Sequence, residues 1–218
     1  PPHFHAEDAI RDCTRSLVGS EMCIRDRVKG KYPDLPLIVI GHSEGALVGA
    51  IAGKESEMDI YISLCGPAFP ADSILKEQLQ KQSPIIGDYC APKLDSIKKG
   101  LWVIEKNPIL QSILRESVQP YLHSWMQYDP REEVKSISIP SLFIGGGKDL
   151  QVPPEHAVVL ANNATHGNYE IIEDMNHILK KITGNRLQNS MSYNNPSIPL
   201  HKELAIEVIK FIAEAIDQ

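Results

Sequence analysis

The sequence is short of several things, and each shortage removes a class of function. Only 4 cysteines occur in 218 residues. Cys13, Cys23, Cys65 and Cys90 follow no CxxC spacing and are too sparse for a disulfide scaffold or a zinc ribbon, so they are read as thiols. Basic charge is not in excess. A formal net charge of −6 leaves no electrostatic footprint for nucleic acid and no polybasic handle for a membrane surface. Long apolar runs are missing too: none approaches the roughly 20 residues that would cross a bilayer, so no stable membrane insertion is expected. No charged-then-apolar leader opens the chain, which begins at Pro1 instead of Met. The 8 histidines avoid metal-ligand spacing except for His3 and His5 beside Glu7 and Asp8, which are read as a solvated terminal segment. No internal repeat is present.

What remains suits one globular domain. With 42% hydrophobic and 23% charged residues, the chain can bury a substantial core. Its partner is expected to be a small molecule.

The stretch from Ser16 to Arg27 stands apart. Met22 to Asp26 can be written in codons as ATG TGT ATA AGA GAC, and the residues from Leu17 as CTC GTG GGC TCG GAG. Both resemble a transposase mosaic-end adapter used to prepare sequencing libraries. That resemblance implies a truncated and chimeric segment 1–27, with the native chain upstream of Val28 largely absent and Cys23 without a role. The alternative reading is an ordinary amphipathic helix.

Beyond Val28 the pattern becomes regular. Leu37 to Ile40 is a continuous apolar run between Pro36 and Gly41, which predicts a strand buried on both faces. Ala46 to Gly53 reads as a small, apolar helix packed closely on a sheet, and Ile60 to Leu64 as a second strand. Strand signals return at Ser141 to Ile144 and Tyr169 to Ile172, separated by a helix that Pro153-Pro154 can start. A last helix from His201 places Leu204, Val208, Phe211, Ile212 and Ala215 on one stripe. Strands alternating with helices predict an α/β fold with a mostly parallel sheet flanked by helices. Residues 67–138 have helical spacing without a comparable strand and read as an insertion. Within it Asp72 is the expected N-cap of a helix, and Pro108 can open another. Asn185 to Pro199, rich in Asn, Ser and Pro, reads as a surface loop.

Chemistry concentrates at Gly41-His42-Ser43-Glu44-Gly45, a G-x-S-x-G sequence placed between a buried strand and a helix. Gly41 and Gly45 lack a Cβ, so strand and helix can approach, and the sharp turn pushes the Ser43 hydroxyl out at the carboxyl edge of the sheet. The helix N-terminus makes the N–H of Glu44 a natural oxyanion donor. A serine hydroxyl needs a base in reach and a group that orients the base. Asp149 follows the third strand and His177 the fourth. They are 28 residues apart, room for one helix and one strand, so both rise at the edge that carries Ser43. Asp174 is a rival acid but comes too late for the preceding strand end. His156, His166, His123 and His201 read as surface or packing histidines. His42 flanks the serine, where it lines the turn or the pocket. Cys65, ending the second strand, faces the pocket or is a buried small hydrophobe.

The order GHSEG, GGGKDLQVP, MNHIL resembles the α/β-hydrolase superfamily, and within it the bacterial serine aminopeptidase-like or lysophospholipase-like hydrolases, from Leu35 to the end. The resemblance implies a core of residues 28–66 and 139–218 with a helical lid at 67–138. It implies a serine hydrolase that cleaves a small carboxylic ester through Ser43, His177 and Asp149, with no metal or cofactor. Peptide or thioester cleavage by the same groups is an alternative, as is a non-catalytic small-molecule-binding protein. The aromatic-rich stretch from Gln119 to Pro130 carries Tyr121 and Trp125, which line the substrate pocket or anchor the lid. The superfamily's upstream strand and second oxyanion donor have no counterpart before Val28. N-terminal strands are therefore expected to be missing, and this fragment to be unstable and inactive by itself.

Overall fold

The structure, a computed structural model, describes residues 17–54 and 58–217. His3, His5, Glu7, Asp8, Cys13 and Ser16 lie outside the described residues. The chain divides into two compact units, one from residues 25–68 and 130–218, the other from 1–24 and 69–129.

Helix α1 (Leu17–Lys31) leaves Ile24 and Val28 exposed, and Arg25 donates to the Ala52 carbonyl at 3.2 Å. The sheet unit then follows in strict alternation. It runs β1 (Ile38–His42), α2 (Glu44–Lys54) and β2 (Ile60–Leu64). After the excursion into the second unit come α7 (Pro130–Lys135), β3 (Ser141–Gly146), α8 (Glu155–Asn163) and β4 (Gly167–Ile172). Helices α9 (Arg186–Ser192) and α10 (Lys202–Ile216) close the chain. The four strands are parallel in the order β1-β2-β3-β4.

Side-chain alternation divides this sheet into two packed faces. Ile60, Ile62 and Leu64 share one core with Leu142, Ile144 and Ile172, and α10 covers it with Leu204, Val208, Phe211 and Ile212. The other face carries Tyr61 and Phe143, whose rings meet edge-on at 5.9 Å. There Tyr61 donates its hydroxyl to the Ala46 carbonyl at 2.5 Å, tying α2 to β2. Residues of β2 and β3 are buried throughout, as continuous apolar strands should be. Strand β1 differs from its expectation: Ile40 is 49% exposed. As an edge of the four-stranded sheet, β1 packs on one flank only, and its own residues carry no sign of that position.

The second unit holds α3 (Ala71–Gln82), α4 (Pro84–Lys98), α5 (Gln111–Leu114) and α6 (Gln119–Trp125). Leu79, Leu94, Ile97, Leu114, Leu122 and Met126 fill its core. Gln119, fully buried, donates to the carbonyls of Val103 and Leu114 and accepts from Val103 N–H, which satisfies the irregular segment between α4 and α5. Asp72 does not cap α3. Pro70 occupies the cap, and the buried Asp72 carboxylate, one position inside the helix, pairs with Lys98 at 2.7 Å. The segment 185–199 is not all loop either. Asn185 opens α9 with a reciprocal capping box to Gln188.

Candidate active site

The candidate residues lie at the carboxyl ends of β1, β2, β3 and β4. Ser43 connects β1 to α2 with φ of +55°, a conformation disfavoured for a residue with a Cβ and kept only where the surroundings impose it. Two backbone bonds do so: Ser43 N–H donates to the Leu64 carbonyl at 2.9 Å, and Ala46 N–H to the Ser43 carbonyl at 3.0 Å. The close approach of strand and helix is made by Gly41. A Cβ there would sit 2.3 Å from the Gly45 oxygen and 2.6 Å from Ala46 Cα. Gly45 differs from its expectation, since a Cβ on it would meet no described atom within 4 Å.

His177 is 4% exposed, and its Nε2 lies 3.0 Å from Ser43 Oγ. Its Nδ1 lies 2.7 Å from an Asp149 carboxylate oxygen. The other Asp149 oxygen accepts the N–H groups of Gln151 at 2.7 Å and Val152 at 2.9 Å. The carboxylate is thus held by the turn that carries it and presents one edge to the imidazole. Accepting from Nδ1–H would leave Nε2 unprotonated and aimed at the serine. The structure brings together the three residues selected from the sequence.

His42 turns away from the hydroxyl beside it. Its Nε2 donates to the His177 carbonyl at 2.7 Å, and the two rings lie 5.1 Å apart. Burial holds its pKa below the ordinary histidine value, which keeps it neutral and suited to this bond. The Glu44 N–H is the first of α2 and has no helical acceptor by position. Burial raises the Glu44 side-chain pKa. Cys65 also has positive φ, +50°, and donates its N–H to the Ile144 carbonyl at 2.7 Å. Its buried thiol hydrogen-bonds Asp149, and burial together with that negative charge pushes the thiol pKa well up.

The remaining candidates have other partners. Asp174 accepts from His201 at 2.7 Å and pairs with Lys181 at 2.8 Å. His201 caps α10 with its other nitrogen. His156 is buried and accepts the Ala68 N–H at 3.0 Å. Tyr121 and Trp125 pack on the core of the helical unit with their rings 5.9 Å apart. Two groups among the described residues have metal-ligand spacing: Cys65, Asp149 and His177, and Asp174, His201 and Glu203. In the first, Asp149 is engaged by His177 and Cys65. In the second, both His201 nitrogens are engaged and an ammonium already sits on Asp174, so neither donor set is arranged for a cation.

Among curated proteins the chain is similar to the esterase EstD of Thermotoga maritima, 26% identical over 154 residues. The match takes in 65% of this chain and 34% of that protein, so the chain spans about a third of the length of that relative. Among solved structures it is similar to Est1E from Butyrivibrio proteoclasticus with ferulic acid bound. The TM-score is 0.57 at 16% identity, over 92% of this chain and 68% of that one. The Pyrococcus furiosus esterase Pf2001 matches with a TM-score of 0.55 at 16% identity, over 95% of this chain and 64% of that one. The fold is the α/β-hydrolase fold. No protein-family model matches the sequence. Ser43 follows β1, Asp149 follows β3 and His177 follows β4.

Asn176 and Asn189, which are not among the candidates read from the sequence, are both buried and lie beside the turns that carry His177 and Asp149. Asn176 directly precedes His177, a signal in the sequence. Asn189, in a stretch that reads as loop, had none.

Proposed function

We propose that this chain carries the reacting groups of a serine esterase acting on a small carboxylic ester. The observation that carries the reading is the continuous contact from Ser43 Oγ to His177 Nε2 and from His177 Nδ1 to Asp149. His177 takes the Ser43 proton as the hydroxyl oxygen attacks the ester carbonyl. Asp149 holds the imidazole in the right tautomer and stabilises the imidazolium that forms. The Glu44 N–H, with the positive end of α2 behind it, faces the developing oxyanion. His177 then protonates the departing alcohol, and a water deprotonated by the same ring releases the acid. His42 contributes by holding the His177 carbonyl.

Ester cleavage is favoured over peptide or thioester cleavage by the likeness to a curated esterase.

The test, on a repaired full-length protein, is labelling with a fluorophosphonate probe and turnover of a short-chain p-nitrophenyl ester. Ser43→Ala abolishes labelling. Ser43→Ala and His177→Ala each lower turnover by about a thousandfold or more. Labelling or turnover that survives Ser43→Ala removes Ser43 as nucleophile.

A further inference from the structure

The catalytic reading leaves unused a buried polar network behind the acid and the base. Asn189, 3% exposed in α9, donates through Nδ2 to the Lys148 carbonyl at 2.6 Å. Its Oδ1 accepts from Asn176 Nδ2 at 3.0 Å. Asn176 is fully buried, and its Nδ2 also donates to Ser192 Oγ at 2.9 Å, while its Oδ1 accepts the Lys180 N–H at 3.0 Å. Ser192 donates onward to the Asn189 carbonyl at 2.6 Å. One short helix thus grips two turns that the chain separates by 28 residues, the one ending in Asp149 and the one holding His177.

Where the grip falls matters. The Lys148 carbonyl shares a peptide plane with the Asp149 N–H, and Lys148 N–H already donates to the Met175 carbonyl at 2.9 Å. Anchoring that carbonyl leaves the Asp149 Cα little freedom to turn. On the other side, Asn176 closes the turn 176–180 with its side chain and with two backbone bonds, Asn176 N–H to the Lys180 carbonyl at 3.0 Å and Leu179 N–H to the Asn176 carbonyl at 2.9 Å. Leu179 is held there at φ of +62°. Unmade, each of these buried polar groups would cost free energy, so the network is a stiff link.

We propose that Asn189, acting through Lys148 and Asn176, is the positioning residue that keeps Asp149 and His177 in register. The proposal rests on the catalytic reading of those two residues. A displacement of about 1 Å at reacting groups can cost about a hundredfold, so Asn189→Ala lowers kcat for a p-nitrophenyl ester by about 10- to 100-fold with KM nearly unchanged. In an Asp149→Asn background the same substitution costs little further, because the pair it serves is already broken. Asn189→Leu is close to isosteric and loses both the donor to Lys148 and the acceptor for Asn176, so it gives the same pattern in a folded protein. Equal fold-losses with and without Asp149 would show a general structural role and overturn the proposal. A readout independent of turnover is the low-field proton resonance of His177 Nδ1–H bonded to Asp149. It is present in the unmodified chain and broadened or lost in both Asn189 variants. Its persistence unchanged in them overturns the proposal even if Ser43 proves not to be a nucleophile. Its absence from the unmodified chain removes the pair on which the proposal stands.

Discussion

Replacing Gly41 by alanine probes the turn that presents Ser43, and the structure separates it from the same change four residues on. Gly41 has no positive φ, so alanine can adopt its backbone angles, and only the space around the new methyl decides the outcome. That methyl would lie 2.3 Å from the Gly45 oxygen, 2.6 Å from Ala46 Cα and 2.7 Å from Ala46 N. All three are backbone atoms of the first turn of α2, and no rotamer change relieves them. Contact is restored only if α2 moves off β1 by about 1 Å, given ordinary separations near 3.5 Å. Overpacking of this kind costs about 1–3 kcal/mol, occasionally more. At roughly 2–4 °C per kcal/mol for a chain of this size, the midpoint of thermal unfolding falls by several degrees. Ser43 sits inside the displaced turn, so the rate of fluorophosphonate labelling should fall by about a hundredfold. Gly45→Ala is the control: it lies inside α2 with open space around it. There alanine should stabilise by about 0.4–1 kcal/mol through its lower unfolded-state entropy. Thermal melts followed by circular dichroism, with labelling rates on the same samples, test both changes. An unaltered Gly41→Ala protein, or a Gly45→Ala protein damaged as badly, would refute the assignment of the close approach to Gly41 alone.

Two other consequences are open to measurement. Ile62, at zero exposure in an inner strand, should cost about 2–5 kcal/mol when cut to alanine. Ile40→Ala, at a half-exposed position of the edge strand, should cost less than about 1 kcal/mol; similar shifts in urea unfolding would contradict the assignment of β1 as an edge. Burial raises the thiol pKa of Cys65 and of Cys90, so neither forms much thiolate at pH 8. Peptide mapping after iodoacetamide treatment should find the exposed Cys23 modified early and those two only after denaturation. Early modification of Cys65 would mean that the end of β2 opens in solution.

The groups proposed to react were legible because the chemistry itself constrains local sequence. A strained serine turn needs glycine where backbone approaches backbone, and an acid and a base that reach one serine must each follow a strand. Those demands leave Gly41, Ser43, Asp149 and His177 at recognisable offsets from apolar runs. Burial of β1 was misjudged because an edge strand is made so by what lies next to it, not by Ile38 or Ile40. Helix α9 was missed for another reason. Its inward residues are Asn189 and Ser192, so hydrophobic periodicity is silent, and its stability comes from the Asn185 capping box and buried amide contacts. Asp72 illustrates a third cause. A carboxylate near a helix start serves equally as a cap or as an ion-pair partner, and only the position of Lys98 decides between them.

Backbone strain links the core to the site. Among the described residues, the non-glycine residues with positive φ are Ser43, Cys65 and Leu179. Each lies beside the proposed reacting groups, and each is tied by a backbone bond, to Leu64, Ile144 and Asn176 respectively. Such conformations cost of order 1–3 kcal/mol apiece, so together they consume a large part of the roughly 5–15 kcal/mol by which a domain is stable. The first two persist because β2 and β3 hold their acceptors in place, and the third because Asn176 is fixed within its own turn. Leu64 and Ile144 are the last apolar residues of those strands and belong to the core beneath α10. A cavity opened at Ile62 or Leu142 therefore acts on the same acceptors. It should let Ser43 and Cys65 relax toward ordinary backbone angles, so that probe labelling declines at denaturant concentrations where the helical signal of the chain is still intact.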